Sequence, residues 1–226
     1  MPHMVEPILD PSTIAKVLQD LSVAHAFLVE AARRSIPQLG QAATGQWGVT
    51  AKRVSVSLPV ERPELVPDAI DNLPFAEVVN QCATLERLLG ALHWADKHLN
   101  GYVVERCHPT TSSQKNGGQT DNDLVLFRTA DGHRCRFEIS DVASSTGDGN
   151  GKELKDLASL GIPVAGHDRI SGTDRRFLVV SNDFSKYLLR PTRHGLKAGR
   201  FHYSLVGEES STHVIEVLPG VAGDGP

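Results

Sequence analysis

The chain has 226 residues, 40% of them hydrophobic, which is enough to bury a sizeable core in one main domain with an appended helical element. A formal net charge of −4 excludes a global positive field that would hold the protein on nucleic acid or an anionic membrane, so any such binding needs a local patch. Three cysteines, Cys82, Cys107 and Cys135, make no dense disulfide framework and fit a reducing compartment, with the cytoplasm as the expected location. The first residues lack the basic and apolar pattern of an export signal, and no run reaches the roughly 18 apolar residues of a membrane span, so neither export by that route nor a membrane partner is expected.

In chain order, Asp10-Pro11 reads as an N-cap with proline at the first helical position, and Ile14, Val17, Leu18, Leu21 and Leu28 then recur at helical spacing towards a close at Pro37. Residues 38–67 are rich in glycine and proline, and alternation of Val54, Val56 and Leu58 with Ser55 and Ser57 predicts a strand inside that connector. Val78, Cys82, Leu85, Leu88, Leu89, Leu92 and Leu99 share one face of a helix over 75–99, stopped by Asn100-Gly101. Strand composition follows at 102–107, 123–129 and 134–140, the last two joined through Asp131-Gly132. A helix is predicted from Lys152, with Asn150 as N-cap, Leu154, Leu157 and Leu160 buried, Lys152 and Glu153 more exposed, and Gly161 as the stop. Residues 177–180 form a short apolar strand, and the segment from Gly220 to Pro226 is a mobile tail. The expected fold is a mixed α/β domain, divided into an N-terminal helix and connector (1–62), a central α/β core (63–206) and a C-terminal strand with its tail (207–226).

A two-residue turn at Asp131-Gly132 sets Ala130 opposite His133, which places Asp123 opposite Ser140 and Val125 opposite Glu138. Asp123, Glu138 and Ser140 then share one sheet face, with the two acids diagonal and about 7–8 Å apart at the backbone. Leu124, Leu126, Phe137 and Ile139 fall on the opposite, core face. Two carboxylates so placed can converge on one hard cation. An aspartate before a strand also fits a turn cap, whereas Glu138 interrupts an apolar strand and needs a cation, a metal or a hydrogen-bond partner.

The runs Tyr102-Val-Val-Glu-Arg, Asn122-Asp123-Leu-Val-Leu and Phe137-Glu138-Ile-Ser140, in the order helix, strand, strand, strand, helix, strand, resemble the restriction-endonuclease-like core of the PD-(D/E)XK nuclease superfamily. The resemblance covers residues 75–180 and rests on motif order. It implies a central mixed sheet flanked by helices, Mg²⁺ or Mn²⁺ held by Asp123, Glu138 and the Ile139 carbonyl, and metal-assisted hydrolysis of nucleic-acid phosphodiesters. Two positions depart from the pattern. Asn122 stands at the proline position, and Ser140 replaces the lysine, so the positive charge beside the metal is missing. Lys152 and Lys155, one turn apart on the next helix, are candidates for a migrated catalytic lysine, although a solvated helix face is the preferred explanation. Glu86, Glu77 and Glu105 are candidates for a third carboxylate. A catalytically inactive nuclease-fold module is the alternative, using the helix over 13–34 for a protein partner or a second copy.

Other signals are weaker. Cys107-His108 with His133-x-Cys135 lacks zinc-ribbon spacing, residues 146–152 fail as a phosphate loop and as a calcium loop, and no G-x-S-x-G occurs. Lys186, Arg190, Arg193, Lys197 and Arg200, interspersed with Tyr187, Phe201 and Tyr203, suit a surface that tracks a DNA or RNA backbone and stacks on bases.

Overall fold

A computed structural model describes residues 4–41, 45–67, 70, 72–109, 122–140, 152–162, 172–190 and 201–220. The N-terminal apolar stripe forms α1 (Ile14–Leu39), burying Ile14, Val17, Leu18, Leu21, Ala24, Leu28 and Ala31 at helical spacing. It starts later than Asp10-Pro11 predicts: Ser12–Thr13 (β1) pairs with Val103 and Val104, and Thr13 is the N-cap, its Oγ1 accepting the Lys16 N–H at 3.2 Å. Pro37 does not end the helix. It lies in the last turn, where a missing N–H removes only one bond, and the helix runs on to Leu39.

The connector holds α2 (Trp47–Arg53) instead of a strand, and the predicted strand around Val54 reduces to a single bridge between Ser55 and Pro74. Its alternation still reports burial, because Val56 is in the core and donates its N–H to the Leu73 carbonyl at 2.8 Å. After α3 (Phe75–His98), Gly101 turns the chain at a φ of 79° into β2 (Tyr102–Cys107). Next come β3 (Leu124–Arg128), β4 (Arg134–Ile139), α4 (Lys152–Ser159), β5 (Arg175–Ser181), α5 (Asn182–Leu188), β6 (Phe201–Glu209) and β7 (Thr212–Pro219).

Among the described residues these strands make one seven-stranded sheet in the order β1-β2-β3-β4-β5-β7-β6, with β4 and β5 parallel and every other pair antiparallel. The fold is therefore mixed α/β. One face packs Leu124, Leu126, Phe137, Phe177 and Val179 against Leu21 and Leu28 of α1 and Leu85, Leu88 and Leu92 of α3. On the other face, Leu178, Val180, Ile215 and Val217 meet Leu157 and Leu160 of the α4 segment and Phe184 and Leu188 of α5. Burial on both faces explains why Phe177 to Val180 is a continuous apolar run rather than an alternating one.

Residues 1–62 do not stand apart, since Val5, Val17 and Val56 belong to the same core cluster as Leu85 and Phe137. β6 runs through the boundary expected at 206 and pairs along its length with β7. The expected tail lies, beyond Gly220, outside the described residues, as do the 144–151 loop and the Asn150 cap. No described helix is long and apolar enough to cross a membrane.

The α4 segment ends as predicted: Gly161 has a φ of 70°, its N–H donates to Ala158, and the Ile162 N–H reaches back to Leu157 at 2.9 Å. Its buried face differs from the expectation. Glu153 is 1% exposed and Leu154 40%, the reverse of the predicted order. The inward stripe is Glu153, Asp156, Leu157 and Leu160, an i, i+3, i+4, i+7 set in which helical geometry outranks polarity. Tyr203 makes this tolerable by donating its hydroxyl to Glu153 Oε1 at 2.6 Å.

Candidate functional site

The β3–β4 connection decides where the two candidate acids stand. The Arg128 N–H donates to His133 O and the Gly132 N–H to Arg128 O, both at 2.9 Å, so the loop holds four residues, 129–132, rather than two. Asp131 Oδ1 accepts the His133 N–H at 3.1 Å and pairs with Arg128, while Gly132 takes a φ of 74°. The observed register, Leu124 opposite Phe137 and Val125 opposite Arg136, is displaced by two residues from the predicted one. A two-residue shift preserves sidedness: Phe137 remains on the core face and Glu138 on the other. Val125 faces Arg136 instead of Glu138, and continuing the register one step brings Asp123 level with Glu138 rather than with Ser140.

Asp123 spends one carboxylate oxygen on the sheet. Its Oδ2 accepts the Ile139 N–H at 2.7 Å, and its own carbonyl accepts the His108 N–H at 2.7 Å. Glu138 is 2% exposed and, through the parallel pairing with Leu178, lies on the sheet side that α4 and α5 cover. Ser140 is fully buried: its N–H donates to Val179 O at 2.8 Å, and its carbonyl accepts from Arg87 Nη1 of α3 at 2.9 Å. Among the described residues its Oγ has no hydrogen-bond partner. Two carboxylates therefore reach adjacent positions, but the lysine position is sealed in the interior.

Among the described side chains, the carboxylate candidates Glu86 and Glu105 are engaged elsewhere. Lys155 is exposed, and the Lys152 side chain lies outside the described residues. Glu86 accepts from Ser211 at 2.7 Å, and Glu105 is held by Arg134 in two bonds of 2.8 Å. Glu77 sits in the first turn of α3. Among the described residues no group of three or more His, Cys, Asp or Glu side chains could hold a metal ion. As donors for Mg²⁺ or Mn²⁺, Asp123 and Glu138 supply the right hard oxygens but not a complete set.

Of the basic stretch, Lys186 pairs with Asp183 at 3.2 Å and Arg190 lies over the Tyr187 ring at 5.6 Å. Arg193, Lys197 and Arg200 are outside the described residues. Phe201 and Tyr203 do not serve as stacking platforms, because both are buried in the second core.

Sequence reasoning passed over a row of strand arginines. Arg134 and Arg136 alternate with buried Cys135 and Phe137, so both point away from the α1/α3 core. On β2 a bulge between Val104 and Arg106 breaks the alternation and leaves Glu105 and Arg106 together on that same side. Arg136 Nε meets Asp174 at 2.7 Å, and Arg176 donates to the Leu160 carbonyl at 3.0 Å. The Arg134 hydrogen bonds hold the Glu105 carboxyl below its ordinary range. Burial, and next to it the charge of Arg136, pushes the Arg176 guanidinium down, with Asp174 opposing. The alternation of Arg-Cys-Arg-Phe carried the signal for half of this row.

One serine–histidine contact invites a nucleophile reading and fails it. Ser185 Oγ lies 2.7 Å from His213 Nδ1, but the hydroxyl donates its proton to the Asn182 carbonyl at 2.7 Å and is buried. The histidine is then the donor and activates nothing. No family model, curated protein or solved structure matches this chain.

Proposed function

We propose that this chain is a restriction-endonuclease-like protein of the PD-(D/E)XK type that binds nucleic-acid phosphodiesters without cleaving them. The order α3-β2-β3-β4-α4-β5, with Asp123 and Glu138 level on neighbouring strands, supports the nuclease-like part of the reading. The observation that carries the inactive part is Ser140, buried at the lysine position, with Arg87 spent on its backbone carbonyl. Phosphoryl transfer needs positive charge beside the developing phosphorane, and a serine at the lysine position supplies none. Three free cysteines, two of them buried, fit the cytoplasm as the compartment.

The second reading is divalent-metal-dependent hydrolysis, favoured by the adjacency of the two acids, which would hold Mg²⁺ or Mn²⁺ and supply a Lewis acid there. End-labelled single-stranded and duplex DNA and RNA, incubated in Mn²⁺ and in EDTA, separate the two. Binding in both conditions with intact substrate is the expected result. Metal-dependent cleavage that disappears in Glu138→Gln would replace it with the second reading, and absence of any binding would remove both. In that last case α1 becomes the place to look for a protein partner.

A further inference from the structure

The short helix α2 buries none of its seven residues, no side chain caps its N-terminus, and Gly48 lies inside it. A helix of that length is marginal without packing, so a second surface against it would add what the core does not. We propose that α2 and the neighbouring end of α1 form a docking surface for an anionic lipid bilayer. Trp47 and Val49 enter the headgroup boundary, and Lys52, Arg53, Arg33 and Arg34 hold the acidic headgroups. The inference is independent of the nucleic-acid reading.

α2 packs on α1 and on α3, and the Phe75 N–H at the start of α3 donates to the Val54 carbonyl just after α2 at 2.9 Å. Thr50 and Ala51 are half-buried and the rest of α2 is exposed, so its outward face is Val49, Lys52 and Arg53, at i, i+3 and i+4. Trp47 is 49% exposed, Val49 52% and Ile36, one turn after Arg33 on α1, 55%. Residues 31–60 contain Arg33, Arg34, Lys52 and Arg53 and no acid, in a chain with 27 acidic residues. Glu30 is shared by Arg33 and Arg34, and Lys52 and Arg53 have no acid partner among the described residues. Positive charge is therefore in surplus at this end of a protein of net charge −4, which is the local patch that an acidic protein needs to reach an anionic surface.

A bilayer of acidic lipid answers both components of the patch. Tryptophan favours the headgroup level, valine and isoleucine reach the acyl boundary, and long basic side chains extend back to the headgroup anions. The phosphates of a nucleic acid would engage the cations alone and leave Val49 and Ile36 in water. A second copy docking patch to patch across a two-fold axis would bring like charges together.

The test is sedimentation of the full chain with phosphatidylcholine vesicles, with and without phosphatidylserine, at low and high salt, read together with tryptophan emission. Trp94 is 5% exposed, so a change in emission reports Trp47. Expected is binding to the phosphatidylserine vesicles at low salt, weakened by salt, with emission shifted to shorter wavelength and quenched by brominated lipid, and no binding to phosphatidylcholine alone. Lys52→Gln with Arg53→Gln should weaken partitioning at least tenfold, since each surface cation is worth about one kcal/mol at an anionic leaflet. Val49→Ser should weaken it several-fold, and Trp47→Phe should remove the emission shift. All these side chains are exposed, so the melting temperature should not move. Wild type that stays in the supernatant with phosphatidylserine at low salt would overturn the proposal, as would partitioning that these variants leave unchanged. Sedimentation without a Trp47 shift or quenching would show adsorption by charge alone and overturn it too. Oligonucleotide affinity that falls in the Lys52 and Arg53 variant while vesicle binding is absent would assign the patch to nucleic acid instead.

Discussion

Asp123 closes the β3–β4 ladder with its side chain: Oδ2 accepts the Ile139 N–H at 2.7 Å, where a longer β3 would have offered a backbone carbonyl. The acid is thus structural whatever else it does. Its removal therefore carries a cost to folding. Asp123→Ala should lower stability by about 1–3 kcal/mol, the cost of an interior N–H left without an acceptor. Asp123→Asn keeps an acceptor oxygen and should lose less. Urea denaturation of the three proteins checks this, and equal loss in both variants would show that charge, not the acceptor, matters.

Gly207 marks a tight approach between helix and sheet. A Cβ there would lie 2.2 Å from Trp94 Cδ1, and Trp94 is already fixed by Nε1 donating to the Val206 carbonyl at 3.0 Å. The bulge between Leu205 and Gly207 brings the two together. Gly207→Ala should cost about 1–3 kcal/mol of overpacking. Adding Trp94→Leu should restore part of it, so the double-mutant cycle gives a coupling energy of opposite sign to the single loss. Additive losses would place the strain elsewhere.

What was legible in the sequence follows from which forces are local. The 75–99 stripe, the Gly161 stop and the limits of β2 depend on spacing and caps, and the structure has them within a residue or so. The strand expected at Val54 failed because alternation reports half-burial, not pairing, and among the described residues only a single bridge to Pro74 forms beside it. Register failed at Asp131-Gly132 because the Asp131 carboxylate builds a four-residue loop that a dipeptide rule cannot see. Glu153 failed because its burial depends on the Tyr203 hydroxyl, 50 residues away on a strand the sequence did not reveal. Asp123 and Glu138 stay on one sheet face despite the register error only because the slip was even-numbered.

The Arg128–Asp131 pair that shapes this loop gives a pH signature. The two Arg128 hydrogen bonds, then the His133 N–H, hold the Asp131 carboxyl at about 2, below its ordinary 3.8. A depressed folded-state value means the contribution to stability is complete above 3.8 and is lost as pH falls through about 2. Carboxyl ¹³C NMR should therefore show Asp131 titrating near 2 in the wild type and moving up towards 3.8 in Arg128→Gln. An unchanged midpoint in the variant would assign the shift to the backbone donor alone.

The Ser140 position gives the sharpest test of why the site should be silent. A surface position opposite the acids would accept Ser140→Lys readily, and the new ammonium would restore the missing charge beside a bound metal. The structure instead shows Ser140 fully buried, its N–H on Val179, its carbonyl on Arg87, and its hydroxyl enclosed. Three extra methylene groups there have no room, so Ser140→Lys should lose about 1–3 kcal/mol through overpacking. The ammonium adds a desolvation cost that Glu138, two residues back on the same sheet face, offsets only in part. Thermal melts should show the loss, and cleavage assays in Mn²⁺ should stay negative. A variant as stable as the wild type that cuts an oligonucleotide in Mn²⁺, and stops when Glu138→Gln is added, would show that the position opens to the acids and that one substitution separates this protein from an active nuclease.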